Sequence, residues 1–164
     1  MEAERQTFLV RPAVSSDALG ILETLRTAFE DYRSSYTPGA FGDTVLTPDS
    51  IGQRLSDMCV FVTTTCTGQI VGTIGCNFID REEGHIRGMA VRPLWQGSGL
   101  AMQLLESVES VLRDGKCMQI SLDTTEPLTR AMRFYEKNGY HRSGKISDFF
   151  GMRLFEYIKV LKAR

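Results

Sequence analysis

Residues Arg92–Ala101 read Arg-Pro-Leu-Trp-Gln-Gly-Ser-Gly-Leu-Ala, between a strand-like run, His85–Val91, and a helical pattern. A glycine turn that opens a helix suits an anion. The first helical N–H groups have no internal partner, and glycine lets the main chain approach closely. Spacing then narrows the choice. The dinucleotide pattern Gly-x-Gly-x-x-Gly fails, because from Gly97 its last glycine position holds Met102. The P-loop fails as well, since no Gly-Lys-Ser/Thr follows. What fits is Gln96-x-x-Gly99-x-Ala101.

Proton-transfer candidates stand nearby. In an alternating strand over Glu83–Val91, His85, Arg87 and Met89 share one face. A neutral imidazole, with an ordinary pKa of about 6.5, accepts a proton at cellular pH, directly or through water. Glu82 and Glu83, in the preceding turn, and Asp123, at the end of a later strand, are alternatives. Cys59, Cys66, Cys76 and Cys117 contain no C-x-x-C pair and no neighbouring histidines, so no metal or redox centre is expected. Each lies in an apolar stretch and reads as a small buried hydrophobe.

Positioning these groups requires a sheet flanked by helices. Thr7–Ala13 predicts a strand halted near Pro12, and Ser15-Ser16-Asp17 offers capping chemistry for a helix carrying Leu19, Leu22, Leu25, Ala28 and Phe29. Ser34–Thr47, with Pro38, Gly39 and Gly42, predicts a loop or broken helix. Thr47-Pro48-Asp49 then opens a short helix through Arg54 and Leu55. Two β-branched runs, from Cys59 and from Gln69 to Ile79, predict a hairpin across Thr67-Gly68. A third strand follows at His85–Val91. Gln96–Asp114 is the clearest helix, with Leu100, Leu104, Val108, Val111 and Leu112 in one stripe supported by Ala101 and Leu105. Strand Met118–Asp123, helix Leu128–Asn138 and strands Tyr140–Ile146 and Phe150–Val160 complete the chain. His85–Val91, the long helix and Met118–Asp123 make a right-handed βαβ unit, while the hairpins make the remaining sheet antiparallel.

The glycine turn resembles the acetyl-CoA signature Gln/Arg-x-x-Gly-x-Gly/Ala of the GNAT acetyltransferase superfamily. The likeness extends to Phe8-Leu9-Val10-Arg11-Pro12-Ala13 with Asp17, to Leu122-Asp123-Thr124, and to Ala131-Met132-Arg133-Phe134-Tyr135-Glu136-Lys137-Asn138-Gly139-Tyr140. It implies a single domain over 1–164. The implied fold is α/β (α+β), a mixed, largely antiparallel sheet with a splayed parallel pair and helices on both faces. It implies acetyl-CoA as co-substrate, its pantetheine arm against the backbone of Met89, Ala90 and Val91. The diphosphate then meets the amides of Gln96, Gly97, Ser98, Gly99, Leu100 and Ala101. Tyr135 matches the family's general-acid tyrosine, and His85 stands where well-known members carry a catalytic Glu. One departure is Leu128, where the family often has an Asn contacting the pantetheine arm.

The reaction so implied is direct acetyl transfer to a primary amine of a small molecule or peptide terminus. Arg33–Thr47 and Ser143–Gly151 are the segments expected to recognise the acceptor, with Tyr32, Tyr36, Phe41, Phe149 and Phe150 as candidate walls. The rival reading is a catalytically silent acyl-CoA-binding or regulatory module on the same fold. Homodimers are common in the family. A charge balance of 19 Lys+Arg against 20 Asp+Glu speaks against nucleic acid as the main partner. The longest apolar runs are far too short to span a membrane. The charged start Met1-Glu2-Ala3-Glu4-Arg5 lacks a signal-peptide core, so the expected location is cytoplasmic.

Overall fold

The computed structural model describes residues 7–162. In chain order they form β1 (Leu9–Pro12), α1 (Ala18–Phe29), α2 (Pro38–Val45), α3 (Pro48–Asp57), β2 (Cys59–Thr64), β3 (Ile70–Phe78) and β4 (Glu83–Val91). After these come α4 (Leu100–Asp114), β5 (Gln119–Thr125), α5 (Thr129–Lys137), β6 (His141–Phe149) and β7 (Met152–Val160). The strands build one seven-stranded sheet in the order β1-β2-β3-β4-β5-β7-β6. Only β4 and β5 run parallel, and α4 supplies the crossover that a parallel pair requires. The mixed, largely antiparallel sheet expected from the sequence is therefore present. No helix among the described residues is long and apolar enough to cross a membrane.

Each face of the sheet has its own core. On one, Leu100, Leu104, Val108 and Leu112 of α4 pack with Ile74, Ile86 and Ile120, joined by Met132 and Tyr135 of α5. On the other, Ile21, Leu22 and Leu25 of α1 pack with Ala40 of α2, Ile51 of α3 and Val62 of β2. Burying each such aliphatic side chain is worth about 1.5–3 kcal/mol, enough to hold both helix layers against the strands between them. Val111, expected in the α4 stripe, is only half-buried at its edge.

Four local expectations change. The long helix begins at Leu100 rather than Gln96, because Gly99 at its N-cap has φ +86°, a left-handed conformation that ends the preceding turn. Within Ser34–Thr47 a formed helix, α2, appears. The Thr37 hydroxyl accepts from Ala40 N–H and Pro38 occupies the first turn, a start signal that outweighs the two glycines. Asp17 does not cap α1 with its side chain; its carboxylate binds Arg11 at 2.7 Å and Val14 N–H at 2.8 Å. Cys76 and Cys117 are buried as expected, but Cys59 and Cys66 are exposed, one at the start of β2 and the other in the turn after it.

Candidate active site

Pairing between β4 and β5 runs from Glu83↔Gln119 to Ile86↔Leu122 and then stops, although β4 continues to Val91 and β5 to Thr125. The parallel strands thus part at one end. Into this gap opens a cavity of about 1050 Å³. Met89, Ala90 and Val91 line it from β4, Thr124 and Thr125 from β5, Gln96, Gly97 and Gly99 from the turn, and Tyr135 from α5.

The turn presents its main chain to the cavity. The N–H groups of Gly97, Ser98, Gly99, Leu100 and Ala101 have no acceptor among the described residues. Gly97 has φ +80°, and a Cβ on either glycine would stand in open space. Open space there fits a ligand group close to the amides, the place where a side chain would intrude. The Gln96 side chain holds the turn: its amide nitrogen donates to Val91 O at 3.0 Å, and its oxygen accepts from Arg130 at 2.7 Å. Ser98 Oγ donates to Trp95 O.

A bulge re-aims the end of β4. The step Thr73 to Gly75 on β3 faces Ala90 to Arg87 on β4, so β4 carries one extra residue, with Gly88 at φ +72°. Strict alternation is thereby broken. His85 and Arg87 face the α1–α3 side with Ala90, whereas Met89 turns toward the α4–α5 core. The expected shared face of His85, Arg87 and Met89 does not form.

Met89 instead meets Tyr135. The Tyr135 hydroxyl donates to Met89 Sδ at 3.2 Å, and burial pushes its pKa up. A thioether is a weak acceptor, so this hydroxyl stays protonated without a strong partner. Across the gap, Thr124 Oγ1 is buried and has no hydrogen-bond partner. An orphaned hydroxyl in a cavity wall fits a polar group on a bound molecule.

His85 also lines the cavity. Its Nδ1 is 2.8 Å from Ser121 Oγ, and its Nε2 is 3.7 Å from Asp123 Oδ2. Burial lowers the imidazole pKa, against the attraction of Asp123, and Arg87 adds to the lowering. Burial raises the Asp123 carboxyl, against the attraction of His85. Both shifts favour the uncharged forms, so the imidazole is free to accept a proton near neutral pH. Glu82 and Glu83 do not line the cavity; their N–H groups donate to Asp80 in the turn.

The loop expectations are met in part. Tyr32, Tyr36 and Phe149 line the cavity, while Phe41 and Phe150 do not. Phe41 packs edge-on to Tyr36, with the Arg33 guanidinium 4.2 Å from its ring centroid. Sequence reading missed Ser121, Thr124, Asp43 and Arg54 as members of the site. Thr124 stood in a segment that carries the family likeness and Asp43 in the Arg33–Thr47 segment expected to recognise the acceptor, whereas Ser121 and Arg54 carry no local pattern.

Comparison with known proteins agrees with this geometry. The acetyltransferase (GNAT) family model matches residues 21–140. Paia N-acetyltransferase from Thermoplasma acidophilum, in complex with coenzyme A, is 16% identical, with a TM-score of 0.77 over 94% of this chain and 99% of that one. An acetyltransferase of the GNAT family from Staphylococcus aureus Mu50 is 18% identical, with a TM-score of 0.77 over 95% and 100%. A GNAT family acetyltransferase from Elizabethkingia anophelis with acetyl-CoA bound is 15% identical, with a TM-score of 0.67 over 94% and 98%.

Proposed function

The chain belongs to the acetyltransferase (GNAT) family, and on that premise we propose that it is an acetyl-CoA-dependent N-acetyltransferase, one domain over 1–164. It moves the acetyl group directly to a primary amine of a small molecule or peptide terminus. The observation that carries this reading is the row of unpaired N–H groups from Gly97 to Ala101 beside the parted strands.

The backbone of Met89, Ala90 and Val91 would hold the pantetheine arm along the edge that β5 leaves unpaired. The amides of Gly97, Ser98, Gly99, Leu100 and Ala101 would surround the diphosphate, whereas the Gln96 N–H, expected among them, is held by Pro93 O at 3.3 Å. Thr124 would supply a hydrogen bond in the gap, where Leu128 offers none. When bound, acetyl-CoA supplies an acetyl group activated as a thioester.

The chain's own residues then meet three needs. His85, neutral and oriented by Ser121, takes the ammonium proton, directly or through water. A β4 backbone N–H beside the bulge stabilises negative charge developing on the carbonyl oxygen. Tyr135 serves the departing sulfur. A phenol near 10 is already about 1.5 units above a thiol near 8.5, so full proton transfer is uphill by about 2 kcal/mol. Burial raises Tyr135 further, which favours hydrogen-bond donation over transfer. Its present acceptor, Met89 Sδ, is the same class of atom. None of the four cysteines lines the cavity, which supports direct transfer over an acyl-enzyme.

The test combines calorimetry with acetyl-CoA and thiol release across a panel of primary amines. Binding followed by amine-dependent thiol release is expected. Binding without release by any amine would instead favour the silent acyl-CoA module, and absence of binding would remove both readings.

A further inference from the structure

The acceptor half of the cavity holds an unbalanced charge. Arg87 of β4 pairs with Asp43 of α2 at 2.6 Å. Arg54 of α3 also lines the cavity, but its guanidinium has neither a hydrogen-bond partner nor an ion pair among the described residues. Its guanidinium lies against the bulge: a Cβ on Gly88 would stand 2.5 Å from Arg54 Nη1. Asp43 is the carboxylate that attracts Arg54, and it is engaged by Arg87, while Asp57 of α3, which also lines the cavity, accepts from Gln53 at 2.7 Å. Burial lowers the Arg54 pKa to about 10, with repulsion from Arg87 against attraction by Asp43, so the group remains charged near neutral pH.

A partly buried cation without a partner is unfavourable unless an anion completes it. The planar guanidinium fork matches a carboxylate with two parallel hydrogen bonds. Asp123 lines the same half beside His85, with Glu156 opposite it in the β5–β7 register. Burial and Glu156 favour its neutral carboxyl, against the cations His85, Lys145 and Arg87, so it serves an amino group as a hydrogen-bond partner. A purely cationic amine finds that partner but is repelled by Arg54. A zwitterion suits both.

We propose that the acceptor is a small primary amine bearing a free carboxylate, an amino-acid-type molecule, and that Arg54 beside Gly88 binds this carboxylate while the amino group faces the His85–Asp123 end. This assignment rests on the N-acetyltransferase reading of the same cavity. Arg54 sets specificity here and takes no part in bond making. The aromatic walls from Tyr32 and Tyr36 leave room for an apolar side chain on the acceptor.

The test is thiol release with free amino acids, each compared with its amide, its decarboxylated amine and a polyamine. The wild-type protein is expected to prefer the carboxylate-bearing member by about tenfold or more in kcat/KM, the usual size of a lost charge-assisted hydrogen bond. Arg54→Gln should abolish that preference, mainly through KM, and Arg54→Lys should keep part of it. Coenzyme A affinity, measured on each variant by calorimetry, should stay within about twofold, which shows that the variant is folded. Equal or better use of amides, decarboxylated amines or polyamines by the wild type would overturn the inference and leave the acetyltransferase reading standing. An unchanged preference in Arg54→Gln would do the same. No coenzyme A binding by the wild type would overturn both together.

Discussion

The two halves of the cavity are made of different material. The half beside α4 is main chain: unpaired N–H groups from Gly97 to Ala101 and the free edge of Met89–Val91, with glycines keeping side chains away. The half beside α2 and α3 is side chain: Asp43, Arg54, His85, Arg87 and Asp123, drawn from four elements. Main-chain donors are identical along any sequence, so the first half suits a ligand common to many proteins. Side chains differ in charge and reach, so the second half suits the choice of a particular acceptor. Invariant chemistry and chosen chemistry sit on opposite sides of one gap.

Substitutions on the two sides should fail differently. Gly99→Val should have the largest effect, about 10³-fold weaker coenzyme A binding by calorimetry. It forces a β-branched residue to φ +86° and removes about two charge-assisted hydrogen bonds. Retained affinity would mean that the turn is not the anion site, and the main-chain half would lose its role.

Tyr135→Phe should lower kcat by about 10²-fold while leaving coenzyme A affinity nearly unchanged. Equal losses in kcat and affinity would recast Tyr135 as packing, given its buried contacts with Phe134 and Tyr140.

His85→Gln should cost the least, about tenfold, if water can relay the proton in its place. Its signature is the pH profile. The imidazole works as a base only when neutral, so kcat/KM in the wild type should rise as pH climbs through the His85 pKa. Burial places that limb below the ordinary histidine value of about 6.5. The variant should lose the limb, and an unmoved limb would assign the base elsewhere.

How much of this was readable in advance divides along the same line. The sheet, its parallel pair, the crossover helix and the glycine turn follow from local patterns: β-branched runs, a helical stripe and two glycines two residues apart. Tyr135 was placed by the motif around it. Of the two alternatives for Ser34–Thr47, loop or broken helix, the Thr37 cap decides for the helix α2 in spite of Pro38, Gly39 and Gly42. The facing of Met89 was misread because one extra residue on β4 inverts every later side chain, and a strand does not announce its partner's register. Arg54 carried no signal at all, being one charged residue on a short amphipathic helix.

Sequence alone determined what the backbone does locally: where it turns, which stretches bury an apolar face, and where amides are left without partners. Those properties arise from residues within a few positions of one another. Tertiary structure decided which charges meet. Arg54 reaches Gly88, and His85 reaches Ser121 and Asp123, only after the sheet has chosen its register and the helices have docked. Electrostatic balance depends on distance in space, and that distance exists only once the chain has folded.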